Sequence, residues 1–221
     1  YNGIKLSRAG ARGISMDTGL AAIAARAQGY LDQGVEEVAQ PGFSSEHEIM
    51  GEYSSYLRDL VDLSSIRPLK IVIDAANGMG GLTAPAVLGT AANLPQLPLE
   101  IVPMYFELDG SFPNHEANPL DPKNLVDLQK AVIEHGADVG LAFDGDADRV
   151  FVIDEKGQPV TPSAIAAIVS LSEIARAKSK GETNISVLYN LLTSKAVAEF
   201  TQGDNCCNCR RGDWLTFFVD D

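Results

Sequence analysis

Apolar positions along the middle of the chain fall into short β-branched runs separated by stretches with helical periodicity. LKIVID (69–74), LEIVPMYFEL (99–108), ADVGLAF (137–143) and RVFVID (149–154) are predicted strands, because each is compact, rich in Val, Ile and Phe, and bounded by turn chemistry. Between the second and third runs, Asp121 can cap a helix that has Pro122 first, Leu125, Leu128, Val132 and Ile133 facing inward, and Gly136 as its stop. DAANGMGG after the first run predicts a tight turn from strand into helix. Upstream, SSEHEIMGEYSSYLRDLVDL (44–63) has Ser45 and Glu48 at capping-box spacing. It predicts an amphipathic helix with Ile49, Tyr53, Leu57 and Leu60 on one face, broken off at Arg67-Pro68. Beyond Gly157, Thr161 and Pro162 predict the start of another helix, with Ile165, Ile168, Val169 and Ser172 to one side. SVLYNLLTSKAVAEF then predicts one more strand and helix.

Strands alternating with helices in this order give an α/β fold: a layered βαβαβ mixed sheet with flanking helices, right-handed crossovers, and functional loops at the carboxyl ends of the strands. With 221 residues, 45% of them hydrophobic, the chain can bury a real core. Its net charge of −13 argues against nucleic acid or an anionic membrane as partner, since either calls for a basic surface. No apolar run approaches the roughly 20 residues of a membrane span, and YNGIKLSRAG lacks the apolar core of a signal peptide, so a cytoplasmic location is expected. Three cysteines, all between 206 and 209, supply no disulfide framework.

The most informative stretch is FDGDADRV (143–150), where Asp144, Asp146 and Asp148 alternate along a loop between two predicted strands. Three like charges this close repel unless a positive group sits among them, and alternate residues of an extended loop project to one side. Three hard oxygen donors suit Mg²⁺ or Ca²⁺ rather than zinc. An EF-hand loop also begins D-x-D-x-D and would reach Glu155 at its twelfth position, but Arg149 stands where that loop needs glycine, and strands replace its helices. A phosphatase with an aspartate nucleophile is a further alternative, which leaves the third aspartate unexplained. Arg149 adds a cation suited to clamping phosphate oxygens, or else a counter-ion for the aspartates.

FDGDADR, together with DAANGMGG and FPNHEANPLDPKNL, closely resembles the α-D-phosphohexomutases, the phosphomannomutase/phosphoglucomutase family, over nearly the whole chain to about Phe200. The resemblance implies that Asp144, Asp146 and Asp148 hold Mg²⁺, that Arg149 contacts the transferred phosphate, and that Lys5 in YNGIK is an active-site proton carrier or phosphate contact. A bland reading of Lys5 is a surface lysine. The resemblance also implies a phosphorylated hexose as partner, interconverted between 6-phosphate and 1-phosphate through a phosphoserine and a bisphosphorylated sugar. It divides the chain into residues 1–64 as the end of a first domain, 65–158 as a second domain with the metal loop, and 159–221 as the start of a third with an atypical tail. The family's serine motif is expected directly before the YNG segment, so the serine is missing here. Asp213 and Trp214 stand where a Gly-His-Ser type loop is expected. The chain is therefore expected to be an inactive fragment, the alternative function being a non-catalytic Mg²⁺-binding remnant or assembly module.

Three lesser signals carry less. GMGG (78–81) faintly suggests a dinucleotide fingerprint, with Asp109 as its acid, but Thr83 occupies the third glycine position, so a strand-to-helix turn is the better reading. His115 in its Asn/Pro-rich loop can be a general base or a structural hydrogen-bonder. Cys206, Cys207 and Cys209 lack a fourth ligand at zinc spacing.

Overall fold

The computed structural model describes residues 6–35, 38–189 and 192–202, and residues 208–211 and 216–219 as backbone strands. The chain separates into two compact units, Tyr1–Ile49 and Met50–Asp221. In the first, strands β1 (Ser7–Arg8) and β2 (Arg12–Gly13) pair antiparallel, and a Ser15–Thr18 capping box leads through a short turn into helix α1 (Leu20–Gln33).

The second unit begins with α2 (Met50–Leu60) and continues through β3 (Leu69–Asp74), α3 (Gly80–Val87), β4 (Leu99–Met104), α4 (Val126–His135), β5 (Val139–Phe143), β6 (Val150–Ile153) and β7 (Pro159–Val160). The strands form one mixed sheet in the order β4-β3-β5-β6-β7, parallel across β4, β3 and β5 and antiparallel from β5 onward. This is the expected α/β layering. Alternation along β3 explains it: Ile71 and Ile73 pack with Ala84 of α3 on one face, while Val72 joins Leu125, Leu128 and Val132 of the α4 segment on the other. Central strand β3 is thus buried on both sides, as a parallel strand between helices should be. Pro103 lies on β4, an edge strand, where its missing N–H disrupts no ladder.

The predicted caps hold at α4. Asp121 accepts from the Lys123 N–H, Pro122 opens a single 3₁₀ turn before the helix, and Gly136 closes it with φ 56°. Thr161 likewise caps α5 (Pro162–Ser179) by accepting from the Ala164 N–H. Beyond it, β8 (Ile185–Tyr189) lies between β9 (Asn208–Arg211) and β10 (Thr216–Val219), with α6 (Lys195–Gln202) following β8 in sequence.

Several expectations are corrected. The helix predicted over 44–63 starts only at Met50, so Ser45 and Glu48 do not stand at its cap positions. Its buried line is not Ile49, Tyr53 and Leu60, which are exposed, but Ser54, with Leu57 and Arg58 partly covered. The small Ser54 lets α2 approach, and Arg58 donates to the carbonyls of Val87 (2.7 Å), Gly89 (2.5 Å) and Pro95 (2.5 Å), so a charged residue satisfies acceptors at and beyond the end of α3. Ile133 is exposed at the edge of α4 rather than inward. On α5 the buried residues are Ser170 and Ile174, whereas Ile168, Val169 and Ser172 face outward; Ile174 packs on Ile185 and Val187 of β8. The predicted strand 99–108 ends at Met104, because Tyr105 turns to φ 55° and leaves extended geometry. Among the described residues, no helix is long and apolar enough to cross a membrane.

Candidate metal centre

The loop 144–149 is the turn of a hairpin: Phe143 of β5 pairs with Val150 of β6. It stands at the carboxyl end of β5, the same end at which β3 and β4 release the turn 75–79 and the long loop after Met104. Asp144 is 1% exposed, Asp146 and Asp148 are exposed, and each offers a carboxylate oxygen such that these atoms all lie within 4.8 Å of one another. Oxygens around an octahedral Mg²⁺ at about 2.1 Å stand about 3 to 4 Å apart, so small side-chain rotations would close the set. The donors are all hard carboxylate oxygens, and they fit such a cation.

A buried carboxylate must be paired, and Asp144 is. Its Oδ1 accepts from the Arg149 backbone N–H (3.0 Å), and its Oδ2 accepts from Arg149 Nε (2.8 Å) and Nη2 (2.7 Å). Arg149 Nε also stands 3.5 Å from Asp148, and the side chain is about half exposed. The expected Arg149 is therefore at the site, with its guanidinium forked onto Asp144. Ala147 at φ 59° lets the chain double back, and its N–H donates to the Asp144 carbonyl (3.1 Å). The antiparallel strands on both sides agree with setting aside the EF-hand.

The turn 75–79 carries the loop on its back. The Met79 N–H, at the start of α3, donates to the Gly145 carbonyl (3.0 Å), so the positive end of that helix faces the acidic loop. A Cβ on Gly78 would lie 2.7 Å from the same carbonyl oxygen, which is why this position of DAANGMGG is glycine. GMGG thus makes a strand-to-helix turn that seats the hairpin.

Sequence reasoning missed the group beneath this turn. Asp74, 1% exposed at the end of β3, accepts from the Ala76 N–H (2.8 Å) through Oδ1 and from His115 Nε2 (2.9 Å) through Oδ2. His115 is structural in this sense: its Nδ1 lies 2.9 Å from the Glu116 carbonyl, and its ring packs edge-on against Tyr105 at 5.4 Å. Both ring nitrogens face acceptors, which only the imidazolium can satisfy by donating twice. The Asp74 hydrogen bond chiefly holds the His115 pKa above its ordinary value; burial opposes it, and the Glu116 carbonyl and the Asp74 and Asp127 charges add to it. A raised value means that His115 stabilises the fold fully below the unfolded value of about 6.5, and that this contribution is lost as pH rises through the folded value. The gap in melting temperature between the wild type and His115→Gln should therefore narrow from about pH 6.5 upward. A gap that does not narrow as pH rises above about 6.5 would show that His115 carries no extra proton in the fold.

Lys5, Cys206, Cys207, Asp213 and Trp214 lie outside the described residues, as does the side chain of Cys209.

Residues 51–157 match the family model for phosphoglucomutase/phosphomannomutase, alpha/beta/alpha domain II. The chain belongs to the α-D-phosphohexomutase family. It is 43% identical over 160 residues to a phosphomannomutase of Salmonella typhimurium, a match covering 72% of this chain and 34% of that protein. It is 36% identical over 135 residues to a phosphomannomutase/phosphoglucomutase of Pseudomonas aeruginosa, covering 61% of this chain and 27% of that one. The crystal structure of a phosphoglucomutase/phosphomannomutase family protein from Burkholderia thailandensis superposes with a TM-score of 0.70 at 25% identity, over 88% of this chain and 39% of that one. The chain thus spans about a third of the length of the curated relatives it matches.

Proposed function

We propose that this chain contributes the metal-holding domain of a phosphohexomutase, which interconverts hexose 6-phosphate and hexose 1-phosphate through a phosphoserine and a bisphosphorylated sugar. The observation that carries the reading is the convergence of three carboxylates and one arginine on a hairpin turn at the carboxyl end of parallel strands, in a chain 43% identical to a phosphomannomutase. Asp144, Asp146 and Asp148 hold Mg²⁺. When bound, the cation supplies positive charge that offsets the oxygens of a transferring phosphoryl group. Arg149 orients Asp144 through its Nε and Nη2 edge, and its half-exposed side chain offers a planar cation to a phosphate oxygen. Lys5 carries a proton or contacts phosphate. In the same reading, residues 1–64 end a first domain, 65–158 form the second and 159–221 open a third.

Positioning and charge stabilisation supply most of the rate in phosphoryl transfer, and this chain spans only a third of its relatives. The 221-residue chain alone should therefore give only background turnover of glucose 1-phosphate in the presence of glucose 1,6-bisphosphate and Mg²⁺. A chimera in which residues 51–157 replace the matching domain of the Salmonella phosphomannomutase should regain Mg²⁺-dependent conversion. A correctly folded chimera that binds Mg²⁺ yet converts no hexose phosphate would sink the mutase reading.

A further inference from the structure

A buried ion pair costs desolvation and is weak support for stability as such, so a carboxylate as covered as Asp74 calls for a positional explanation. Asp74 Oδ1 bonds the Ala76 N–H, across a turn in which Ala76 (φ 47°) and Asn77 (φ 57°) are both left-handed. That conformation is unfavourable for a non-glycine residue, and persists only where neighbours over-determine it. Here they do. The Asn77 N–H donates to the Tyr105 carbonyl (2.9 Å), its carbonyl accepts from the Asp109 N–H (3.0 Å), and its side chain donates to the Glu107 carbonyl (2.8 Å) and accepts from Asn114 Nδ2 (2.7 Å). Next to Asn114, His115 closes the ring back onto Asp74. The loop 105–116 therefore grips the turn from both ends, and the next two residues of that turn, Gly78 and Met79, are the ones seated on Gly145 between Asp144 and Asp146.

We propose that His115 and Asn114 are positioning residues: through Asp74 and Asn77 they fix the turn 75–79, and that turn fixes the spacing of the three aspartates. Among the described residues no hydrogen bond joins either residue to an aspartate of the loop; the grip reaches the site through the Met79–Gly145 hydrogen bond and the Gly78–Gly145 contact, beside the pairing of Asp74 with Ala142 in the sheet. Partners beneath a metal site commonly contribute 10- to 100-fold to affinity, and this pair acts one contact further away. The affinity arm of the test rests on the Mg²⁺ reading above, whereas the exchange arm does not.

The test uses the full chain, with His115→Gln and Asn114→Ala as two separate variants. In metal-free protein, amide hydrogen exchange at Asn77, Met79 and Arg149 should speed up several-fold in both variants, and by clearly more than exchange in α4 at Leu128 and Val132, which reports the loss of overall stability. Titration calorimetry with MgCl₂ should show affinity lowered by about 10-fold in His115→Gln. Unchanged exchange at Met79 in both variants would overturn the proposal, and so would an equal rise in α4, because that is general loosening. If His115→Gln does not fold, Asn114→Ala decides by the same criteria. If the wild type binds no Mg²⁺, the metal assignment fails, and metal-free exchange alone judges the brace. Faster exchange together with unaltered affinity would also overturn it, since the turn would then not govern the aspartates.

Discussion

Asp146→Asn should weaken Mg²⁺ binding by at least about 100-fold and leave the melting temperature nearly unchanged, since even groups beneath a metal site commonly cost 10- to 100-fold. Of the three aspartates, this one separates the two effects most cleanly. Asp144 is buried and fastened to Arg149 by its backbone N–H, Nε and Nη2, so changing it disturbs the hairpin as well as the ion. Asp148 stands within 3.5 Å of the same guanidinium. Asp146 is exposed, and the hydrogen bonds that shape the loop run through Asp144, Gly145, Ala147 and Arg149 instead. Asparagine keeps the shape and removes one hard anionic donor of three, which Mg²⁺ replaces poorly with an amide oxygen. Titration calorimetry on both proteins, with thermal melts as the fold control, reads the two quantities separately. Equal affinities would remove the aspartate loop as the metal centre.

That loop was legible because its chemistry is local: three aspartates at alternate positions between two β-branched runs need no long-range contact to be noticed. The strands were legible for a similar reason, as β3 is apolar at every position from Ile71 to Ile73 and buried on both faces. Helix faces were less so. On α2 the large apolar residues Tyr53 and Leu60 point outward while Ser54 is buried, because close packing selects for small side chains that hydrophobic periodicity ignores. On α5 alanines and isoleucines occur around the helix, so the pattern offered more than one face, and Ser170 with Ile174 took the covered one. The grip of His115 on Asp74 joins residues 41 apart in sequence, and neither position advertises the other. Its one local trace is an aspartate at the end of a buried strand followed by AANG, which is the chemistry of an Asx turn carrying left-handed residues.

Arg149→Lys distinguishes a phosphate clamp from a counter-ion, and the geometry of the native pair says what each outcome should look like. Lysine keeps one positive charge that can reach Asp144 Oδ2, and the backbone N–H of residue 149 still serves Oδ1, so the hairpin and its three carboxylates should persist. Mg²⁺ affinity of the variant chain should then fall within a few-fold of the wild type. What lysine cannot reproduce is a planar fork that holds Asp144 along one edge while the rest of the guanidinium meets a second oxygen anion. If that second anion is the phosphoryl group in transit, the lost contact strengthens as charge develops, and the loss appears in kcat more than in KM. Removing one such donor commonly costs about 10²-fold or more in kcat. Measured in the chimera, the lysine variant should therefore bind Mg²⁺ nearly as well as its parent and turn over about 100-fold more slowly. A kcat within a few-fold of the parent would leave Arg149 as the counter-ion of Asp144, with the phosphate held by other residues.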